Sequence, residues 1–401
     1  MNKKTISDIN VTSKKVLMRV DFNVPIENGI VEDDTRIDAA LPSVRYVLER
    51  GGSVILMSHL GRPKAGKREP EFSMKPLVAV LAAKLGVPVQ FASDCVGPEA
   101  SAKAAALKAG QVLLLENLRY HAEEEGKGAT TEQQEAFAKA LASLGEVYVN
   151  DAFGTAHRAH ASVAVVNKYF KESAAGFLLE KEITYLAKTL ESPSRPFVAI
   201  IGGAKISGKI DVVTNLLNKV DTLLIGGGMA YTFFKAQGFT IGGSIHEDDK
   251  LDLAKQILAD AKAKGVKLLL PLDNVIADAF SETANTQVTS GNIPDGWEGL
   301  DIGPKTRALF SAEIAKAKTV VWNGPMGCFE MAPFAAGTNA VAQAVADNSL
   351  CVSVIGGGDS VSAIKKAGLD DKITHISTGG GASLELMEGK VLPGLAALSD
   401  K

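Results

Sequence analysis

Short apolar runs recur along the whole chain, each followed by a polar or glycine-rich turn and then by a longer stretch with apolar residues at helical spacing. In the first half the runs are Val16 to Val20, Val54 to Met57, Val112 to Leu115 and Val147 to Val149. In the second half they are Phe197 to Ile201, Thr222 to Ile225, Lys267 to Leu270, Thr319 to Trp322, Cys351 to Ile355 and His375 to Ser377. Strands apolar on consecutive positions bury both faces, so the runs predict parallel sheets covered by helices, with right-handed crossovers. Helical spacing in 75–85 and 251–264 supplies such covers. A chain of 401 residues also exceeds what one core organises. The expected class is α/β, with two doubly wound parallel-sheet (Rossmann-like) domains.

Between the two sets of runs, Leu178, Leu179, Ile183, Leu186 and Leu190 fall on one helical face. The segment then meets Pro193 and Pro196, which end a helix and reset the chain direction. The expected division is therefore an N-terminal domain over 1–177, a hinge helix over 178–190 and a C-terminal domain beginning at 191.

Lys plus Arg total 43 against 46 Asp plus Glu, so the formal net charge of -3 offers no general attraction to nucleic acid or to anionic lipid. Any anion site must be local. The polar N-terminus lacks the apolar stretch of a secretory signal, and no run approaches the ~18 apolar residues that span a bilayer. Cys95, Cys328 and Cys351 are too far apart for a CxxC motif, and a sparse odd set fits buried free thiols in a reducing cytoplasm.

In open parallel sheets ligands bind beyond the carboxyl ends of the strands. At those positions the first half carries Asp21 and Asn23, His59 and Arg62, Asn117 and Arg119, then Asn150, Asp151 and Arg158, with Arg36 after the first strand. Arginines gathered at one sheet edge can chelate phosphate and carboxylate oxygens bidentately, which points to a small, multiply anionic ligand. Isolated surface arginines in solvated ion pairs are the plainer alternative, and their repetition at equivalent strand ends argues against it. His157 and His160 flank Arg158 with no matching third metal ligand, so hydrogen bonding or anion contact is the expected role.

The second half supplies glycines instead: Gly202 to Lys209, Gly226 to Gly228, Gly356 to Ser360 and Gly379 to Gly381 each follow a run. Glycine lets backbone amides approach phosphate, and a helix starting next adds the favourable end of its dipole. Gly203 to Lys209 nearly matches a P-loop, but Ile210 stands where Ser or Thr would hold magnesium. No cluster reads GxGxxG, which disfavours a dinucleotide-dependent dehydrogenase. Asp359, among the glycines, is either a magnesium ligand or a helix N-cap.

Arg19 to Pro25, Ser58 to Pro63, Leu115 to Tyr120, Asn150 to Arg158, Gly202 to Lys209, Val321 to Gly327, Gly356 to Ser360 and Ser377 to Ser383 together resemble the phosphoglycerate kinase family, in order and over essentially the whole chain. The resemblance implies reversible phosphoryl transfer between 1,3-bisphosphoglycerate and ADP, giving 3-phosphoglycerate and ATP. It implies that Asp21, Asn23, Arg36, His59, Arg62, Arg119 and Arg158 hold 3-phosphoglycerate. It further implies a Mg2+ nucleotide on the C-terminal domain, over 191–388, with 389–401 returning to the N-terminal one. Ala204, Lys209, Gly227, Asn323, Pro325, Glu330, Gly357, Gly358, Asp359 and Ser360 would bind the nucleotide, with Asp359 on the metal. Arg36, Lys205, Gly358 and Gly381 would act on the moving phosphoryl group after domain closure. A cytoplasmic monomer binding neither nucleic acid nor membrane is expected. The rivals are a catalytically silent nucleotide-binding protein and a dehydrogenase.

Overall fold

The computed structural model describes residues 2–64 and 66–401. They form two compact units, one made of the residues up to Ile183 together with Val391–Lys401, the other of Thr184–Lys390. In the first, the strands are β1 (Lys15–Val20), a small hairpin β2 (Ile26–Glu27) and β3 (Ile30–Val31), then β4 (Ser53–Met57), β5 (Val89–Ala92), β6 (Val112–Leu115), β7 (Val147–Asp151) and β8 (Ser173–Ala175). Six of them make one sheet in the order β5-β6-β4-β1-β7-β8. All its pairings are parallel, with Arg19 of β1 in register with Met57 on one side and Asn150 on the other.

The second unit has β9 (Phe197–Ile201), β10 (Thr222–Ile225), β11 (Lys267–Leu269), β12 (Asn274–Ala277), β13 (Thr286–Thr289), β14 (Glu298–Ile302), β15 (Thr319–Asn323), β16 (Val352–Gly356) and β17 (His375–Ile376). Its main sheet runs β11-β10-β9-β15-β16-β17, again wholly parallel. In both sheets the order reverses direction beside the first strand of the unit, so each is doubly wound and its crevice opens at the strand carboxyl ends. The central strands β4, β6, β9, β10 and β15 are buried along their length, as their unbroken apolar sequences require.

Each unit has its own core. Val16, Met18, Val54 and Leu114 meet Ile37, Val44 and Leu77 from covering helices in the first. Ile200, Leu224, Trp322 and Ile355 meet Phe310, Val341 and Ile364 in the second. Edge strands β5 and β8 match none of the expected runs, because an edge strand need bury less: β5 reads Val-Gln-Phe-Ala and β8 only Ser-Ala-Ala. A three-stranded antiparallel sheet, β13-β12-β14, is a further addition, and its β13, Thr-Gln-Val-Thr, is exposed and too polar to register as an apolar run.

The 178–190 stretch is helical but not uniform: α-helix over Phe177–Glu182, a π turn over Ile183–Ala187, then α-helix over Lys188–Glu191. Leu179, Ile183, Leu186 and Leu190 are buried. Buried Asp151 starts this segment, its Oδ1 accepting from the amides of Leu178 (2.9 Å) and Leu179 (3.1 Å). Residues 391–401 pack on the first unit, where the Gly394 amide donates to Ala156 (2.8 Å) and the Ser399 amide to Ser173 at the β8 edge (3.1 Å). A side chain at Gly394 would meet Val163 at 2.6 Å, so glycine permits that approach.

Candidate functional sites

At the carboxyl ends of the first sheet, a pocket of about 470 Å3 gathers Arg62, Arg119 and Arg158 with His121, Glu125 and Lys127. Arg119 is buried, donates to the Gly61 carbonyl (2.7 Å) and pairs with Glu125 (3.0 Å). Arg62 is exposed and has no partner among the described residues, while Arg158 Nε donates to His157 Nε2 at 3.2 Å. The cationic side chains outnumber the single carboxylate, so the pocket suits an anion with several oxygens.

Asp21, Asn23 and Arg36 are not in that lining but are tied to it. Arg36 Nη1 donates to Asp21 (3.2 Å) and to the Asn23 carbonyl (3.1 Å), and Asn23 Oδ1 accepts from the Gly61 amide at 2.8 Å. Gly61 thus joins this cluster to Arg119, and its positive φ of 59° is one glycine tolerates. His59 lies beneath, buried, its Nδ1 3.1 Å from Arg19 Nη2. Burial first, then the charge of Arg19, holds this imidazole well below its usual range, so it is neutral. Asn117 is structural: its amide nitrogen donates to Leu60 (2.7 Å) and Phe72 (2.8 Å).

A buried polar network supports the pocket from behind. Arg19, fully buried, donates through Nε to Ser162 Oγ (2.9 Å), and Ser162 donates in turn to Glu124 from Oγ (2.6 Å) and from its amide (2.9 Å). His160 sits 3.7 Å from Glu124, and burial followed by Arg19 pushes it down to about 3. This confines His160 to a neutral, interior role and gives His157 the contact with Arg158.

In the second unit a slot of about 400 Å3 is lined by Gly203, Ala204, Gly227 and Gly228 on one side and by Pro325, Glu330 and Asp359 on another. Tyr231, Ile245, Phe280, Leu300 and Met326 make much of the rest apolar. The glycine turns hold one another by backbone bonds: the Gly203 amide to Pro325 O (3.1 Å), Gly227 to Met326 O (3.1 Å) and Met229 to Gly203 O (3.0 Å). Ser360 is buried and its hydroxyl accepts from the Gly324 amide (2.6 Å), so it shapes the wall from inside. Asn323 is also buried, and Lys209 donates to its Oδ1. Burial pulls the Lys209 ammonium down while the charge of Asp359 opposes the shift.

Lys205 is exposed and makes no ion pair or hydrogen bond among the described residues. Gly358 and Gly381 are exposed in the first turns of helices Gly358–Lys366 and Gly380–Met387. Gly357, not Asp359, occupies the N-cap of the former helix, and Asp359 makes no capping bond. The carboxylate therefore remains exposed at the pocket rim. Cys328 corrects the expectation of three buried thiols: Cys95 and Cys351 are buried, whereas Cys328 is part-exposed in the slot.

A family model described as phosphoglycerate kinase matches residues 6–390. The chain belongs to the phosphoglycerate kinase family. A protein of Chloroherpeton thalassium named phosphoglycerate kinase is 62% identical over 403 residues, covering 100% of each chain, and one of Chlorobium chlorochromatii with the same name is 58% identical over 404 residues at the same coverage. Among solved structures, phosphoglycerate kinase from Coxiella burnetii is 42% identical with a TM-score of 0.91, covering 98% of each chain. That from Pyrococcus horikoshii is 34% identical with a TM-score of 0.81 at the same coverage. In this phosphoglycerate kinase family member, His121, Glu125 and Lys127 join the pocket although they are absent from the expected site residues. They follow Arg119 within one short polar segment, which was the available signal. Phe280 and Ile245 had none, since they reach the slot from loops far along the chain.

Proposed function

We propose that this protein catalyses reversible transfer of a phosphoryl group between 1,3-bisphosphoglycerate and ADP, acting as a cytoplasmic monomer. The observation that carries the reading is the convergence of Arg62, Arg119 and Arg158 in one pocket of a chain that matches the family over residues 6–390. Three guanidinium groups suit the phosphate of 3-phosphoglycerate, and the adjoining Asp21, Asn23 and Arg36 offer acceptors and a donor for its hydroxyl and carboxyl groups. The glycine slot on the second unit suits a purine and ribose between apolar walls, with Glu330 at the ribose and Lys209, Gly357, Gly358 and Ser360 at the phosphates.

Asp359 is exposed and makes no hydrogen bond among the described residues, which fits a Mg2+ that keeps most of its waters and takes one or two carboxylates. Bound there with the nucleotide, the ion would offset phosphate charge. In the direction that consumes ATP the acceptor is a carboxylate already ionised at neutral pH, so no general base is required. Lys205 and Arg36 supply positive charge to the transferring group, and the amides at Gly358 and Gly381, with their helix dipoles, add fixed donors. Acceptor and donor bind different units, so in-line transfer calls for a bending motion, for which 178–190 serves as the hinge.

A coupled assay with 3-phosphoglycerate and ATP, run with and without Mg2+, tests the proposal. Turnover that requires the metal is expected. Nucleotide binding without turnover would leave a silent binding protein, and a response to NAD would restore the dehydrogenase.

A further inference from the structure

Neighbouring strands β5 and β6 deliver three potential metal ligands to one point beside the anion pocket. Asp94 and Cys95 follow β5, and His121 follows the turn Leu118–Tyr120 after β6. Their ligand atoms all lie within 4.8 Å of one another. Each is held in place by something else. Asp94 Oδ2 is paired with Arg68, and Oδ1 accepts from the Cys95 amide at 2.7 Å. The His121 ring stacks on Phe137, centroids 5.1 Å apart and planes 30° apart. Cys95 is fully buried, and its sulfur has no hydrogen-bond partner among the described residues. The buried thiol therefore shares its surroundings with a carboxylate and an imidazole, a donor set of mixed sulfur, oxygen and nitrogen.

We propose that Asp94, Cys95 and His121 form a site for one borderline-soft divalent cation of the zinc class, with water as the fourth ligand. Zinc takes sulfur at about 2.3 Å and nitrogen or oxygen at about 2.0–2.2 Å, which sets tetrahedral ligand atoms roughly 3–4 Å apart. Asp94 Oδ1 and His121 Nε2 stand 2.7 Å apart, so the cation takes the place of the hydrogen between them and opens the pair by less than about 1 Å, the bound imidazole carrying its one proton on Nδ1 instead. On binding, the Cys95 S–H bond breaks, a metal–sulfur bond forms, and the proton leaves to solvent. Thiolate and carboxylate together then balance the dication. Arg68 orients the carboxylate from outside, the usual partnership around a metal ligand. Thiol and imidazole disfavour Mg2+ and Ca2+, so this site and the carboxylate at Asp359 select different ions.

The test is titration of the whole protein with Co2+, followed by the thiolate-to-cobalt charge-transfer absorption and by metal-to-protein stoichiometry. One ion per chain is expected, displaced by Zn2+ but not by millimolar Mg2+, with release of a proton. C95S must abolish the band and H121Q must weaken binding at least tenfold, while C328S and C351S keep both. Circular dichroism checks that each variant is folded; if C95S is not, D94N and H121Q carry the decision. Absence of the band, its survival in C95S, or full affinity in both H121Q and D94N overturns the assignment.

Discussion

Replacing Gly227 with Ala tests whether the slot of the second unit depends on close backbone packing. The residue has φ +70°, and a Cβ there would lie 2.7 Å from Gly203 N, 2.8 Å from Gly203 O and 2.9 Å from Pro325 O. All three are backbone atoms that cannot swing aside, and ordinary contact needs each to retreat by roughly half an ångström. Left-handed backbone costs an alanine about 1–2 kcal/mol, and overpacking adds about 1–3 kcal/mol. The sum, about 2–5 kcal/mol, corresponds to a fall of about 4–20 °C in Tm for a unit of this size. Because Gly203 and Pro325 line the slot, nucleotide affinity should drop at least tenfold while 3-phosphoglycerate affinity is unchanged. Calorimetric melting and isothermal titration of both ligands measure this. Gly208→Ala is the control, since a Cβ there meets nothing within 4 Å and its φ is not positive. A Gly227→Ala protein that melts like that control and binds nucleotide normally would refute the reasoning.

Lys205→Ala should lower kcat by ~10²–10³ with little change in Tm, because the side chain is exposed and unpaired among the described residues; near-normal turnover would remove Lys205 from the mechanism. Glu124→Gln should destabilise the first unit by about 1–3 kcal/mol and raise KM for 3-phosphoglycerate more than for ATP, since it weakens the acceptor that holds Ser162 and, through it, Arg19. Equal effects on both KM values would count against a positioning role. Burial raises the Asp301 carboxyl from 3.8 to about 7. Between those values the folded state holds a proton that the unfolded state has lost, so this group's contribution to stability falls as pH rises through the window. Asp301→Asn should therefore gain stability relative to the parent at pH 8 compared with pH 5, measured as the difference in Tm; a difference independent of pH would contradict the shift.

Strands buried on both faces advertise themselves, and each expected run corresponds to a strand of one of the two large sheets. What stayed hidden were elements whose burial is partial. β5 and β8 need only one well-packed neighbour, and β13 shows its side chains to solvent. The π turn over Ile183–Ala187 was also invisible, since one apolar face is compatible with either winding. In the site, the grouping of Arg62, Arg119 and Arg158 follows from their equivalent places at strand ends. The depth of each residue does not. Arg19 and His59 sit on similar strand ends yet are interior, because Ser162 and Glu124, distant in sequence, fold behind them. Sequence order carries strand-end position well and through-space neighbours poorly.

The first unit is discontinuous, its sheet edge at β8 being bonded to Ser399 and its 153–165 segment to Gly394. During synthesis the ribosome completes Thr184–Lys390 before residues 391–401 exist, so the unit made first cannot be finished until the one made second has already emerged. A released chain truncated after residue 390 should therefore hold a complete C-terminal unit and an N-terminal one that is open along one seam and accessible to chaperones.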